Sequence, residues 1–473
     1  MVERKLIYQI YPTAVGSLRD IADKIPQIAE FVQPDYIWLN PIFASPWIDG
    51  GYDVSDYKKI DPRFGNMNDF RHLVATAKKY KIGILLDLVM NHTSSEHEWF
   101  KKSERHDPKY KDYYVWLDRP INWKSIFGGP AFSYDETRGK YYLHLYDKAQ
   151  PDLNFNNPRV AREFKEIIDF WRQYGVAGFR VDSANTLAED ALKSGILPRI
   201  TGFFNYFQTE ETVDILEKVL ARKDIFTLAE PIGGRILGKS RFRQLTRKAF
   251  DAAFNVGTID IADTFFSDRY HMMPVNYKRW LKYLASWSTE PKFSMALESH
   301  DTPRAPSRFH ADPRVLAMLQ LLLPSNYPCI YNGQEIGTKN PKLSNDINDY
   351  PGVQSRMMYR TLRKEGKTKR QAMAAVRQAS RDNARQPIDW GEYILQSRDE
   401  ESTLRTYQKL INLWRNDPVL AKGKLKIKKI TKTGVFDFYR IFDGKTYKVH
   451  LDLSNKTVSY LENHEGQKLI RSR

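Results

Sequence analysis

Short apolar runs recur along this chain, each followed by a stretch of helical periodicity, and their number limits the available folds more than any other feature. They fall at 6–11, 36–40, 82–89, 176–181, 225–229, 252–256, 293–297 and 328–331. Runs this short, set between longer periodic segments, read as strands buried in a parallel sheet. Eight strand-and-helix units are what a closed parallel barrel requires. The expected fold class is therefore α/β, a (β/α)8 barrel, with 252–256 the least strand-like of the eight.

The fourth run leads into VAGFRVDSAN at 176–185. Arg180 and Asp182 stand two residues apart, so in a strand both side chains point to one face. Before them, Asn157-Pro158 opens a helix with Asn as N-cap and Pro at the first helical position. Val160, Phe164, Ile167, Ile168 and Trp171 follow at helical spacing, and Gly175 ends the helix. A charged pair at the C-terminal end of a short buried strand lies where barrels of this kind carry catalytic residues. Taken alone, the pair is as readily a structural ion pair as a catalytic one.

About 80 residues separate the third and fourth runs, far beyond an ordinary loop, so an inserted subdomain is expected at 93–150. After about residue 400 the pattern changes again. A helix over 402–413 gives way to alternating segments at 424–430, 435–441 and 446–453 that read as a C-terminal antiparallel β domain. The expected division is 1–92 with 151–400 for the barrel, 93–150 for the insertion and 401–473 for the β domain.

Hydrophobic residues make up 41% of the chain and aromatic ones 13%, which is a globular composition rather than a disordered one. No run approaches the roughly 18 apolar residues of a membrane span, and the N-terminus has no signal-like apolar region. Cys329 is the lone cysteine and cannot form an intramolecular disulfide, in keeping with a reducing compartment. A cytoplasmic, membrane-free monomer is expected. The formal charge of +17 could suit nucleic acid, but Lys and Arg are interspersed with Asp and Glu. No nucleic-acid-binding signature accompanies the charge, so no such partner is expected.

The residues at the C-terminal ends of these runs carry the functional signal. The second leads into Asp49-Gly50-Gly51-Tyr52-Asp53, and the third ends in Asp87-Leu88-Val89-Met90-Asn91-His92. The fourth supplies Arg180 and Asp182, the fifth Glu230, and the seventh Glu298-Ser299-His300-Asp301. Acids at so many strand ends on one rim suffer desolvation unless they are paired or cluster around a pocket. Asp182, Glu230 and Asp301, with two imidazoles and no metal-ligand spacing, point to hydrolysis or transfer by paired carboxylates. There, one ionised carboxylate attacks a sugar's anomeric carbon. A second carboxyl, kept protonated by burial and negative neighbours, donates to the leaving oxygen.

The segments DLVMNH, QPDLNF (150–155), GFRVD, LAE, SHD and GQEIG (333–337), in that order, together with SRDNARQP at 380–387, carry a family resemblance. The sequence resembles glycoside hydrolase family thirteen, the α-amylase superfamily, and within it the oligo-1,6-glucosidase, dextran glucosidase and α-glucosidase group. The resemblance implies a retaining α-glucosidase acting on short α-glucosides from the non-reducing end. Asp182 would be the nucleophile, Glu230 the general acid and base, and Asp301 the third acid that holds sugar hydroxyls. Arg180 would keep Asp182 ionised, and His92 and His300 would donate hydrogen bonds to the sugar. Tyr52 would be a stacking platform. Asp49 and Arg385 would close the pocket bottom by a salt bridge, with Arg381 the alternative. Asp53 and Asp87 would be supporting residues, Glu335 architectural, and Phe127 a core aromatic.

Departures from the family pattern bear on the metal and on linkage. The group's acidic calcium-binding loop after the first strand is replaced by Thr13-Ala14-Val15-Gly16-Ser17-Leu18, so no metal or other cofactor is expected. Ser299 and Ala229 stand where the group has Asn and Gly. Ser183, directly after Asp182, matches neither the Val of α-1,6-specific members nor the Ala or Thr of maltose-preferring ones. The rival readings are a glucosyl transferase or isomerase on the same fold and a non-catalytic homologue.

Overall fold

The computed structural model describes residues 3–187, 209–221, 224–233, 238–259 and 276–472. At its centre stand eight parallel strands: β1 (Ile7–Ile10), β2 (Tyr36–Leu39), β3 (Gly83–Val89), β4 (Gly178–Asp182), β5 (Phe226–Ala229), β6 (Ala252–Ala253), β7 (Ser294–Met295) and β8 (Tyr327–Tyr331). They hydrogen-bond in the order β6-β5-β4-β3-β2-β1-β8-β7, and a parallel bridge between Ala253 and Phe293 joins the two ends into a barrel.

All eight runs become strands, but the sixth is shorter than expected. Asn255 accepts from the backbone N–H of Gly257 through its side chain at 2.9 Å and from that of Thr258 through its carbonyl at 2.9 Å. Those bonds turn the chain into the helix Val256–Ile259 instead of extending the strand.

Side chains alternate between the barrel interior and the surrounding helices. At the N-terminal end of the barrel, Ile7, Trp38, Leu85, Leu228, Ala252 and Cys329 pack into one buried cluster. Two residues beyond Ile7, Trp38, Leu85 and Leu228 stand Gln9, Asn40, Asp87 and Glu230, and two beyond Gly178 stands Arg180, while Phe254 and Tyr331 follow Ala252 and Cys329. The interior thus changes from apolar to charged within one alternation, and Asp87 lies in register with Arg180 on the neighbouring strand. Gly178 lets β4 lie close against β5, because a Cβ there would fall 1.9 Å from the carbonyl oxygen of Phe226.

The helix before β4 forms as its sequence indicates. It spans Pro158–Gln173, the Asn157 side chain accepts from the Arg159 N–H at 3.1 Å, and Gly175 ends it at φ +83°. Its buried face is Val160, Phe164, Ile167, Ile168 and Trp171. Between β3 and this helix lies a three-stranded antiparallel sheet of Trp116–Leu117, Lys140–Leu143 and Phe132–Asp135.

A five-stranded antiparallel sheet ends the chain: Lys424–Ile430, Val435–Phe442, Lys445–Asp452, Tyr460–Glu462 and Lys468–Arg471. The buried guanidinium of Arg440 fixes it against the rest of the chain by donating to the carbonyls of Leu322 and Leu420, both at 2.7 Å. Among the described residues no helix is long and apolar enough to cross a membrane.

Candidate active site

Arg180 is the centre of the charged end of the barrel. Its Nη1 donates to Asp87 Oδ1 at 2.6 Å and to Asp182 Oδ1 at 2.8 Å, and its Nη2 pairs with Glu230. The guanidinium lies over the Trp38 ring, 4.8 Å from its centroid. Three carboxyls from β3, β4 and the end of β5 therefore share one buried cation. Backbone bonds fix the last two: Glu230 N–H donates to Val181 O at 3.0 Å and Ala184 N–H to Glu230 O at 2.9 Å.

One positive charge cannot balance three buried negative ones, and the protonation states follow. Burial pushes Glu230 up to about 8 against the pull of Arg180, with the negative charges of Asp182, Asp301 and Asp87 reinforcing it. Burial, opposed by Arg180 and reinforced by Asp182, lifts Asp87 to about 7. At neutral pH Glu230 thus holds a proton beside Asp182, and one carboxyl is poised to donate.

Asp301 has the opposite balance. Burial disfavours its charge, but the neighbouring His300 N–H and, with full charges, the guanidiniums of Arg385, Arg381 and Arg180 outweigh that and hold it well below the usual range. It is also the most open of the three acids, with 38% of its side chain exposed.

His300 is kept neutral by burial, and the donors around it assign its tautomer. Gln9 Nε2 donates to His300 Nδ1 and to Asn40 Oδ1, both at 2.8 Å, while the Tyr52 hydroxyl donates to Asp87 Oδ2 at 2.9 Å. His300 Nε2 therefore carries the proton and gives it to the Tyr52 oxygen at 2.6 Å, with Asp301 Oδ2 at 3.1 Å. The ring is stacked between Tyr11 and Tyr52, at centroid distances of 5.8 and 5.4 Å. Tyr52 is thus fully engaged in orienting His300 and Asp87.

The expected salt bridge at the pocket bottom has a different partner. Asp49 pairs with Arg381, not Arg385, and also accepts from Gln150 Nε2 at 3.1 Å. Arg385 instead donates to Asp301 Oδ1 at 2.9 Å and to the carbonyl of His300 at 3.0 Å. The physical reason is the turn that carries them. A 3-10 turn at Arg381–Asn383, capped by the Ser380 hydroxyl, places the two guanidiniums side by side and aims the first at Asp49. Arg381 Nη1 also comes to 3.5 Å from Asp301. Gly50, at φ +61°, makes room, since a Cβ there would lie 2.3 Å from Arg385 Nη1. Asp53 holds this loop by accepting from the backbone N–H groups of Ile48 and Asp49, at 2.8 and 2.9 Å.

His92 joins Asp49 through Gln150. Its Nδ1 is 3.0 Å from Asn91 Oδ1, and its Nε2 receives Gln150 Nε2 at 3.0 Å. In this arrangement Nε2 accepts from Gln150. Gln150, which links His92 to Asp49, is a site residue to which the sequence pattern alone assigns no role.

Two further residues come from the insertion. Tyr146 packs 5.1 Å from His92 and 5.5 Å from Phe127, while Phe127 faces the Arg381 guanidinium at 5.8 Å. Phe127 is buried, as a core aromatic was expected to be, and its ring also borders the site. The Tyr146 hydroxyl bonds to Ser183 Oγ, and Ser183 adopts φ +45° immediately after Asp182. A β-branched residue at Ser183 would be strained at that φ whatever its contacts with a ligand.

Calcium does not suit the turn after β1. Pro12–Ala14 forms a 3-10 turn, and the nearby Asp20 is occupied, accepting from the Ser17 N–H and hydroxyl at 2.7 Å each. Among the described residues no group of three His, Cys, Asp or Glu side chains is arranged to hold a metal ion.

Residues 9–423 match the alpha amylase, catalytic domain, family. Trehalose-6-phosphate hydrolase of Bacillus subtilis (strain 168) is 30% identical over 498 residues, spanning 93% of this chain and 87% of that protein. Oligo-1,6-glucosidase of Parageobacillus thermoglucosidasius is 33% identical over 422 residues, spanning 82% and 74%. The crystal structure of isomaltulose synthase from Klebsiella sp. LX3 superposes with a TM-score of 0.87 at 27% identity, covering 95% of this chain and 90% of that one.

Proposed function

The chain belongs to the alpha-amylase family of glycoside hydrolases, and on that premise we propose that it is a retaining α-glucosidase of short α-glucosides, cleaving from the non-reducing end by double displacement. The observation that carries this reading is the shared guanidinium. Asp182 and Glu230 bind the two ends of Arg180 in one pocket, and burial keeps Glu230 protonated.

In the first step the ionised Asp182 attacks the anomeric carbon and Glu230 gives its proton to the departing glycosidic oxygen. In the second, Glu230 takes a proton from water, which attacks the same carbon and releases Asp182. Asp301, held ionised, accepts from sugar hydroxyls, and its bond to Arg385 keeps it aimed at them. Asp49 and Arg381 close the pocket beyond the terminal sugar, which supports cleavage of single units from short chains. In this reading the barrel (1–92 and 151–400) supplies the chemistry, the insertion (93–150) one wall, and 401–473 a β domain. The protein acts as a cytoplasmic monomer.

The likeness to an isomaltulose synthase favours one second reading, transfer of the glucosyl unit to a sugar instead of to water. A panel of isomaltose, maltose, sucrose, trehalose, trehalose 6-phosphate and dextrin, with products identified, separates the two. Hydrolysis of isomaltose and maltose with release of glucose supports the glucosidase. Rearranged disaccharides at a constant number of glycosidic bonds support the transferase.

A further inference from the structure

Ser183 is held in a backbone conformation that a serine seldom adopts, directly after Asp182. Its φ of +45° is left-handed, and such strain persists only where surrounding bonds enforce it. Two sets of bonds do so. Its carbonyl accepts from the Thr186 hydroxyl at 2.8 Å and the Thr186 N–H at 3.2 Å, which closes the turn. Its own hydroxyl is bonded to the Tyr146 hydroxyl. Tyr146 comes from a different part of the chain, 37 residues away, and its ring is fixed against His92 and Phe127. The Ser125 hydroxyl further anchors the Tyr146 carbonyl. A rigid aromatic on the insertion side thus grips the residue next to the acid at the end of β4.

We propose that Tyr146 is a positioning residue, acting through Ser183 to set the angle at which the Asp182 carboxylate meets the anomeric carbon. Among the described residues, Asp182 is otherwise tethered by one side-chain bond, at Oδ1, to Arg180. A carboxylate tied at one oxygen can swing about that contact, and the adjoining turn decides where the second oxygen points. Misplacement of a reacting atom by about 1 Å is enough to slow attack a hundredfold. The hydroxyl pair couples the pocket's insertion-side wall to the nucleophile, so the two move as one body. This inference rests on the reading of Asp182 as nucleophile.

The test uses Tyr146→Phe, Ser183→Ala and the double variant, with α-glucosyl fluoride and maltose as substrates. Both single changes remove one oxygen while keeping the ring packing and the Cβ already present at Ser183. Fluoride leaves without needing a proton from Glu230, so kcat/KM on this substrate reports nucleophilic attack without the proton transfer. Each single variant should lower kcat about tenfold on both substrates with KM nearly unchanged, the order that loss of one hydrogen bond supports. The double variant should be no slower than either single, because all three lack the same bond. A kcat/KM for the fluoride within twofold of the parent, or single effects that multiply in the double variant, would overturn the inference. A merely structural role would lower the melting temperature and leave the fluoride rate per folded molecule intact, which also overturns it. Asp182→Asn separates the two levels. If it is inert while Tyr146→Phe is normal, only the positioning role fails, whereas an active Asp182→Asn sinks the nucleophile assignment itself.

Discussion

Replacing Arg381 by Met should harm the protein more than the same change at Arg385, although the two stand four residues apart and both face the pocket. Arg381 and Asp49 form an ion pair in which each side chain is only 5% exposed. Without the guanidinium, Asp49 keeps Gln150 Nε2 at 3.1 Å as a donor but has lost its counter-ion. Breaking a buried pair from one side costs about 3 to 5 kcal/mol. Because Gln150 still donates to Asp49, the lower end, about 3 kcal/mol, is the expected loss, or roughly 10²-fold if it appears in kcat/KM. Arg385 bonds Asp301, which is 38% exposed, and a backbone carbonyl. Loss of charge-assisted bonds to a partly solvated acid should count for about 1.5 kcal/mol.

The assay is kcat/KM on a short α-glucoside together with the urea midpoint, for Arg381→Met, Arg385→Met, Asp49→Asn and the double variant Asp49→Asn/Arg381→Met. The double variant should be no worse than Arg381→Met alone, since the uncompensated charge has gone. Greater damage from Arg385→Met than from Arg381→Met, or independent effects at Asp49 and Arg381, would refute the reasoning.

Three other expectations rest on the same geometry. Glu230 is raised to about 8, so kcat/KM should fall on the alkaline side near that pH. A raised carboxyl stabilises the fold below its unfolded value and loses that contribution as pH rises through the folded one. The urea midpoint should therefore decline between about pH 5 and 8, and less steeply in Glu230→Gln. Glu230→Gln should lose activity on maltose yet keep a first-turnover burst of leaving group on glucosides with acidic leaving groups, which need no proton, before turnover stalls for want of the base; equal loss of the first step on both would remove Glu230 as the acid. A strong chelator should leave activity and melting temperature unchanged, because the turn after β1 offers too few oxygens for a hard cation. Calcium-restored loss would contradict that.

Most of the fold was legible because barrel strands are short apolar runs whose inward positions turn polar at one end, as Leu85 to Asp87 and Leu228 to Glu230 illustrate. The sixth run misled at its far end, where Asn255 looked like part of an extended segment but caps a helical turn. In the last sheet, Tyr460–Glu462 and Lys468–Arg471 went unseen, because three or four residues with charged neighbours give no readable alternation. The acids and histidines of the site were legible from their places after the strands. The choice between Arg381 and Arg385 was not, because it depends on how a 3-10 turn aims two adjacent guanidiniums. Gln150, Phe127 and Tyr146 escaped for a related reason. They belong to or border the insertion, whose loops obey no barrel periodicity, and only tertiary contact brings Tyr146 to Ser183 and Phe127 to Arg381.

Double displacement at one anomeric carbon, with Asp182 as nucleophile and Glu230 as acid and then base, requires the two carboxyls to stand about 5 to 5.5 Å apart. That is too close for a water between them in the first step. The most direct measurement is the configuration of the glucose first released from an α-glucoside, read by proton NMR before the anomers equilibrate. α-Glucose is the expected product. Release of β-glucose would mean that water attacks in a single displacement, and would contradict the assignment of Asp182 as nucleophile whatever the fate of the other predictions.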